Sequence, residues 1–193
     1  DATTRADSLL ARATFQLKHG DVEAGLKLLE ELRGSSATEP RCRVLLLEAR
    51  LDADEARAPF DAAQVQKLVD ELKTIESAAE GIRWRFYQAR AWLRGDPNHD
   101  ENEITTLLTE CLQRDPAFSS AAEALGLFHE EKGRAAQAED VYRRVLAANP
   151  RAVRVADRLL NLLQKQARFA EASQVADLLS SAGRDVTSSR VDI

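Results

Sequence analysis

Methionine is absent from the 193-residue chain. Residue 1 is therefore not expected to be a translation start, which leaves room for an upstream signal or anchor removed before it. Cysteine occurs twice, at Cys42 and Cys111. That number supports no four-cysteine metal site, and a disulfide would need the two Cα atoms within about 7 Å. Position 111 falls on an apolar helix stripe, where a buried thiol is expected. No apolar run approaches the ~20 residues that span a bilayer; Val44 to Leu47 is typical in being far shorter. The N-terminus carries no secretory signal pattern. Basic residues are outnumbered, 27 Lys and Arg against 32 Asp and Glu, for a net charge of −5. A nucleic-acid binder normally shows a basic face. Arg83, Arg85, Arg90 and Arg94 cluster on one predicted helix, but no basic stripe runs on from them. No stretch reads as a strand sheet, a low-complexity segment or a Gly/Ser tether.

Catalytic patterns are missing too. There is no nucleophile elbow and no Walker loop, and His129-Glu130-Glu131 lacks the second histidine of a zinc-protease helix. His19 and His99 fall in predicted loops. The segment Asp96-Pro97-Asn98-His99-Asp100 matches the first half of a calcium loop. Glu101 then stands where that loop needs Gly, and Leu107 where it needs a bidentate Glu. The better reading is a polar turn that caps the following helix. No catalytic residue, metal or cofactor is expected.

What is present is helical periodicity and a repeat. Val65, Leu68, Val69, Leu72 and Ile75 recur at helical spacing. From Ser119 to Ala152 the chain places Ala122, Leu125-Gly126, His129, Ala138, Tyr142 and Pro150 at fixed offsets. These offsets resemble the 34-residue tetratricopeptide pattern W-x2-L-G-x2-Y…A-x3-F…P. The window departs from it at Ala122, for Trp, and at His129, for Tyr. Gly126 and Ala138 are small where two helices must cross. Gly133 suits the left-handed turn between them, and Pro150 ends the second helix.

A 34-residue step forward gives Leu159-Leu160, Ala172 and Ala176 in the corresponding places. A step back gives Trp84, Tyr87-Gln88, the turn Gly95-Asp96, and the closing Asp115-Pro116. That copy needs about four extra residues near Pro97 to Asp100 relative to the 34-residue unit. Ile104, Leu108 and Cys111 line its second helix. The N-terminal copies are looser. One turns at Gly20-Asp21, with Leu28, Leu29 and Leu32 on its second helix. The other has a first helix from Arg41 to Asp54 and a second from Asp61 to Ala78.

The expected fold is all-α, an α-solenoid of stacked helix–turn–helix repeats over 1–182. The approximate repeats are 6–34, 38–80, 81–116, 119–152 and 153–186, with a polar tail at 183–193. About three repeats suffice for a stable stacked core.

The resemblance implies a right-handed superhelix whose first helices line a concave groove. Groove positions would be Ile82, Arg85, Ala89, Trp92 and Leu93 in the third repeat. In the fourth they would be Ser120, Glu123, Leu127, Glu130 and Glu131. In the fifth they would be Arg154, Asp157, Asn161, Gln164 and Lys165. Arg85, Trp92 and Leu93 are the expected anchor, because Trp and Arg are enriched at binding hot spots. Glu123, Glu130 and Glu131 would set a preference for basic partners, with Leu127, Arg154 and Asn161 completing the site. Arg154 and Arg158 also resemble part of the carboxylate clamp of chaperone cofactors. Ala124, Arg85 and Ala89 replace the rest of that clamp, so this specificity is not expected.

The implied function is a non-catalytic adaptor that binds a partner protein or peptide. The alternative is a recruiting array belonging to a larger enzyme. Ala- and Arg-rich usage points to a bacterial source.

Overall fold

Asp61 and Asp100 stand immediately before helices, and each caps the one that follows. The Asp61 carboxylate accepts from the Gln64 amide at 3.0 Å and that of Asp100 from the Asn102 amide at 2.8 Å. Asp21 does the same for the Ala24 amide at 2.9 Å. Such caps satisfy amides that a helix start leaves unpaired. The computed structural model describes residues 2–19, 21–32, 44–45, 47–52, 61–77, 79–95 and 99–188, and the described residues are helical or in turns. For 2–7, 18–19 and 182–188 the description is of backbone alone.

The helices are α1 (Ala2–His19), α2 (Val22–Leu32), α3 (Ala62–Glu76), α4 (Arg83–Gly95), α5 (Glu101–Arg114), α6 (Ser119–Glu131), α7 (Ala135–Ala148), α8 (Val153–Lys165) and α9 (Phe169–Ser188). Residues 44–45 and 47–52 are helical as well, inside the first helix expected for the second repeat. The expected turn at Gly20, Cys42 and the Pro97 end of the enlarged loop lie outside the described residues, as do residues 189–193 of the tail. The chain divides into two compact units, 1–98 and 99–193.

In the first unit α1 packs on α2 and α3 on α4. Leu10, Ala13, Leu29 and Leu32 form one core. Gly25 permits the α1–α2 approach, because a β-carbon there would lie 2.8 Å from Leu17 Cγ. Val65, Leu68, Val69 and Leu72 are buried as their spacing requires. The α4 start has no acidic residue in its first turn. Glu76, the last residue of α3, supplies the cap instead. It accepts from the amides of Arg83 at 3.0 Å and Trp84 at 3.1 Å.

In the second unit each helix packs on the next, and α6 also contacts α8. Tyr142, Val145, Val155, Leu159 and Leu163 build the core, with Ala122, Ala138, Ala156 and Ala172 between them. Ala138 is fully buried, and the α6–α7 crossing is close at Gly126. A β-carbon on Gly126 would stand 2.1 Å from Cε1 of Tyr142. Cys111 is fully buried on α5.

The two inter-helix turns repeat atom for atom. Gly133 has φ 70° and Ala167 φ 57°. The amide of Arg134 donates to His129 O at 2.8 Å, and that of Arg168 to Leu163 O at 2.9 Å. The Gly133 and Ala167 amides donate three residues back, to Glu130 O and Gln164 O. Both turns thus use the same left-handed helix stop, with Ala167 in a backbone region that L-residues disfavour.

Glu139 on α7 belongs to a network, because Arg168 reaches back to it from the α8–α9 turn. The Glu139 carboxylate accepts from Arg168 Nη2 at 3.0 Å and from Arg143 Nε at 2.8 Å, and Arg168 also binds Glu171 at 2.7 Å.

Candidate functional site

The first helices of the fourth and fifth repeats, α6 and α8, lie side by side in the second unit. Both are ordinary amphipathic helices. Val155, Ala156, Leu159, Leu162 and Leu163 bury one side of α8, which leaves Arg154, Asp157, Asn161 and Lys165 for the other. On α6 the buried set is Ala121, Ala122, Leu125, Gly126 and Phe128. Glu123, Leu127 and Glu130 are half-buried, and Glu131 is exposed.

The α6 carboxylates find their counter-charges on α8. Glu123 faces Arg154 at 3.6 Å and Arg158 at 3.4 Å, and Glu130 faces Lys165 at 3.6 Å. Glu130 also accepts from the Tyr142 hydroxyl at 2.8 Å. Burial, together with that bond, holds the phenol well above its ordinary titration range. The expected acidic stretch is therefore largely neutralised by the neighbouring repeat. Its physical basis is the stacking period, which brings residues about 34 positions apart alongside one another. Arg158 serves Glu123 in this arrangement. A comparison of charges one repeat apart in sequence would have signalled these pairs.

Arg85, Trp92 and Leu93 sit on α4 of the first unit, so the expected residues are divided between two units. Arg85 is only 6% exposed. Its guanidinium donates to Ala79 O at 2.9 Å and to Gly81 O, and its carbon Cζ lies 4.5 Å from the centre of the Trp84 ring. The expectation of an exposed Arg85 anchor is thereby corrected: the side chain ties down the turn before α4. Trp92 and Leu93 are half-buried. Of the expected groove positions beside them, Ala89 is fully buried.

His129 packs beside Phe128, their ring centres 6.0 Å apart. Its Nδ1 is buried with no hydrogen-bond partner among the described residues, and burial pushes the imidazole below its usual pKa. His99 pairs with Glu103 at 2.8 Å. Of the half calcium loop, residues 96–98 lie outside the description, and Asp100 is the α5 cap. No group of three or more His, Cys, Asp or Glu side chains suited to a metal occurs among the described residues. No helix among them is long and apolar enough to cross a membrane.

No family model and no curated protein sequence matches the chain. Solved structures do. A thermophilic TPR protein in Thermus thermophilus superposes with a TM-score of 0.65 at 17% identity, covering 94% of both chains. Pseudomonas aeruginosa pilF gives 0.59 at 20% identity, covering 94% of this chain and 78% of that one. MamA gives 0.55 at 11% identity, with 91% and 96% covered. These likenesses, the helix–turn–helix pairs and the two superimposable turns 34 positions apart agree: the chain has the tetratricopeptide-repeat fold.

Proposed function

We propose that the chain is a non-catalytic scaffold that binds a partner protein or peptide along the first helices of its repeats. In the second unit the face would be that of α6 and α8. Its contacts would be Leu127, Glu131, Arg154 and Asn161, with the paired Glu123 and Glu130 holding the row in place. Trp92 and Leu93, on α4 of the first unit, would be contacts of that unit's own first-helix face. One observation carries the reading. α6 and α8 are cross-braced by ion pairs, while Arg154, at 83% side-chain exposure, keeps its outer surface in water. Surface pairs of this kind contribute at most about 1 kcal/mol to stability. A face so arranged is pre-set for hydrogen bonding, and its charges steer encounter more than they add affinity.

The test is affinity capture from the source lysate with the parent chain, with a Leu127→Asp/Asn161→Arg variant, and with Arg144→Ala on α7 as control. Loss of one captured protein with the double variant alone supports the face. Its retention with the double variant, or its loss with Arg144→Ala, sinks it.

A further inference from the structure

The first unit carries an open groove of about 1090 Å³, separate from the α6–α8 face. Its floor is apolar, from Leu10 and Ala11 on α1, Val44 and Leu45 on the helical stretch before α3, and Ile75 and Ile82 at the α3–α4 turn. Its volume slightly exceeds that of ordinary small-ligand pockets, about 300–1,000 Å³, and it is open to solvent. Those dimensions suit a peptide segment better than a metabolite.

The charges beside this floor are unequal. Glu48, Glu76 and Glu80 line it, with Arg83 as the cation among the described lining residues. Arg83 is already divided, its Nε 2.8 Å from Glu48 and its Nη1 2.9 Å from Glu76. Glu76 is further satisfied by the amides it caps. Glu48 shares that one guanidinium. Burial raises its pKa against the opposing charge of Arg83, and Glu76 and Asp52 add to the rise. A cation arriving beside the groove carboxylates would offset their excess charge while a neighbouring apolar side chain covers the floor. The chain's own charge of −5 makes a second copy a poor occupant.

We propose that this groove docks a linear segment of a partner protein that presents an apolar side chain beside a lysine or arginine. The apolar side chain lies on the Leu10, Leu45 and Ile82 floor, and the cation meets the carboxylates that line the groove, Glu48 and Glu80. This rests on the reading of the chain as an interaction scaffold, but uses a different surface.

The probe is a library of random linear peptides displayed on phage and selected against the whole chain. The consensus peptide is then synthesised and its binding measured by fluorescence anisotropy. Ala11 and Glu80 are exposed, so Ala11→Trp and Glu80→Gln leave the fold intact, whereas Glu48→Gln also removes an Arg83 contact. The expected consensus pairs an apolar with a basic residue. Ala11→Trp, which fills the groove, should weaken binding at least about tenfold, the loss of a modest anchor. Each Glu→Gln change should weaken it about threefold at low salt, less as salt screens the charges.

No selected peptide, a consensus without a basic residue, or equal binding by parent and Ala11→Trp would overturn the proposal. Peptides lost instead on Leu127→Asp would overturn it while leaving the α6–α8 reading intact. Peptides that need Ala11 and Glu80, alongside capture indifferent to Leu127 and Asn161, would do the reverse.

Discussion

Gly126 on α6 lies against the phenol ring of Tyr142 on α7, with room for a hydrogen and none for a methyl group. A β-carbon there would meet Cε1 at 2.1 Å, Cζ at 2.3 Å and the hydroxyl oxygen at 2.6 Å. Tyr142 is itself fully buried and bonded to Glu130, so the ring has nowhere to go. Overpacking a close site costs roughly 1–3 kcal/mol, occasionally more. Gly126→Ala is expected at the upper end, about 3 kcal/mol by urea denaturation. In a Tyr142→Leu background the same change should cost much less. Ala138→Leu, at a fully buried site, should also lower the unfolding midpoint. Additive effects of Gly126→Ala and Tyr142→Leu would show that the two residues do not meet.

Ala167 occupies the left-handed conformation that Gly133 takes one repeat earlier. Relief of that strain, about 1–2 kcal/mol, opposes the ~0.4–1 kcal/mol by which glycine loosens the unfolded chain. Ala167→Gly is therefore expected to leave stability unchanged or raise it by up to about 1.6 kcal/mol. Ala136→Gly, in the first turn of α7, should lower stability, by at most the ~1 kcal/mol of a helix interior. Equal losses at both sites in thermal denaturation would refute the turn geometry.

Glu139 sits where Arg168 and Arg143 converge. Hydrogen bonds from Arg168 hold both Glu139 and Glu171 below the ordinary carboxylate value of 4.5. The folded carboxylates bind protons less readily than the unfolded ones, so their contribution is present above pH 4.5 and disappears as the pH falls through the lowered folded values. Glu48, raised by burial, works in the opposite sense, so the measurement is a difference. Urea stability of Glu139→Gln should approach that of the parent between pH 6 and pH 3. Glu139→Leu should be clearly destabilising at neutral pH. A constant gap between parent and Glu139→Gln across that range would show that the pairing contributes nothing to folding.

His129 gives the opposite end of the pH scale. Burial, and secondarily the charge of Arg134, depress its pKa from the usual 6.5. The unfolded chain takes up the proton first as pH falls, so stability drops as the pH goes from 6.5 down to the folded pKa and is flat below it. His129→Gln should remove that slope between pH 7.5 and 5 without altering the helix content. An identical slope in the variant would assign the effect to other groups.

The left-handed turn at Gly133, the stop after Asn149, the α3 core from Val65 to Leu72 and the small residues at Gly126 and Ala138 were all legible in the sequence. Each depends on what a residue allows its own backbone to do, or on a spacing of three or four positions along one helix. The fate of the charged candidates was less legible. Glu123, Glu130, Glu139 and Arg85 look alike in sequence, as polar positions on amphipathic helices.

The sequence by itself determined an all-helical repeat with a 34-residue step, because glycine conformation, proline chemistry and helical periodicity are local properties. The tertiary structure alone decided which charges find partners. Stacking sets Glu123 against Arg158 and Glu130 against Lys165, and turns Arg168 onto Glu139. It also folds the Arg85 guanidinium onto the carbonyls of Ala79 and Gly81. Ion pairs act through space over a few ångströms, so their partners are fixed by packing between helices rather than by neighbours along the chain.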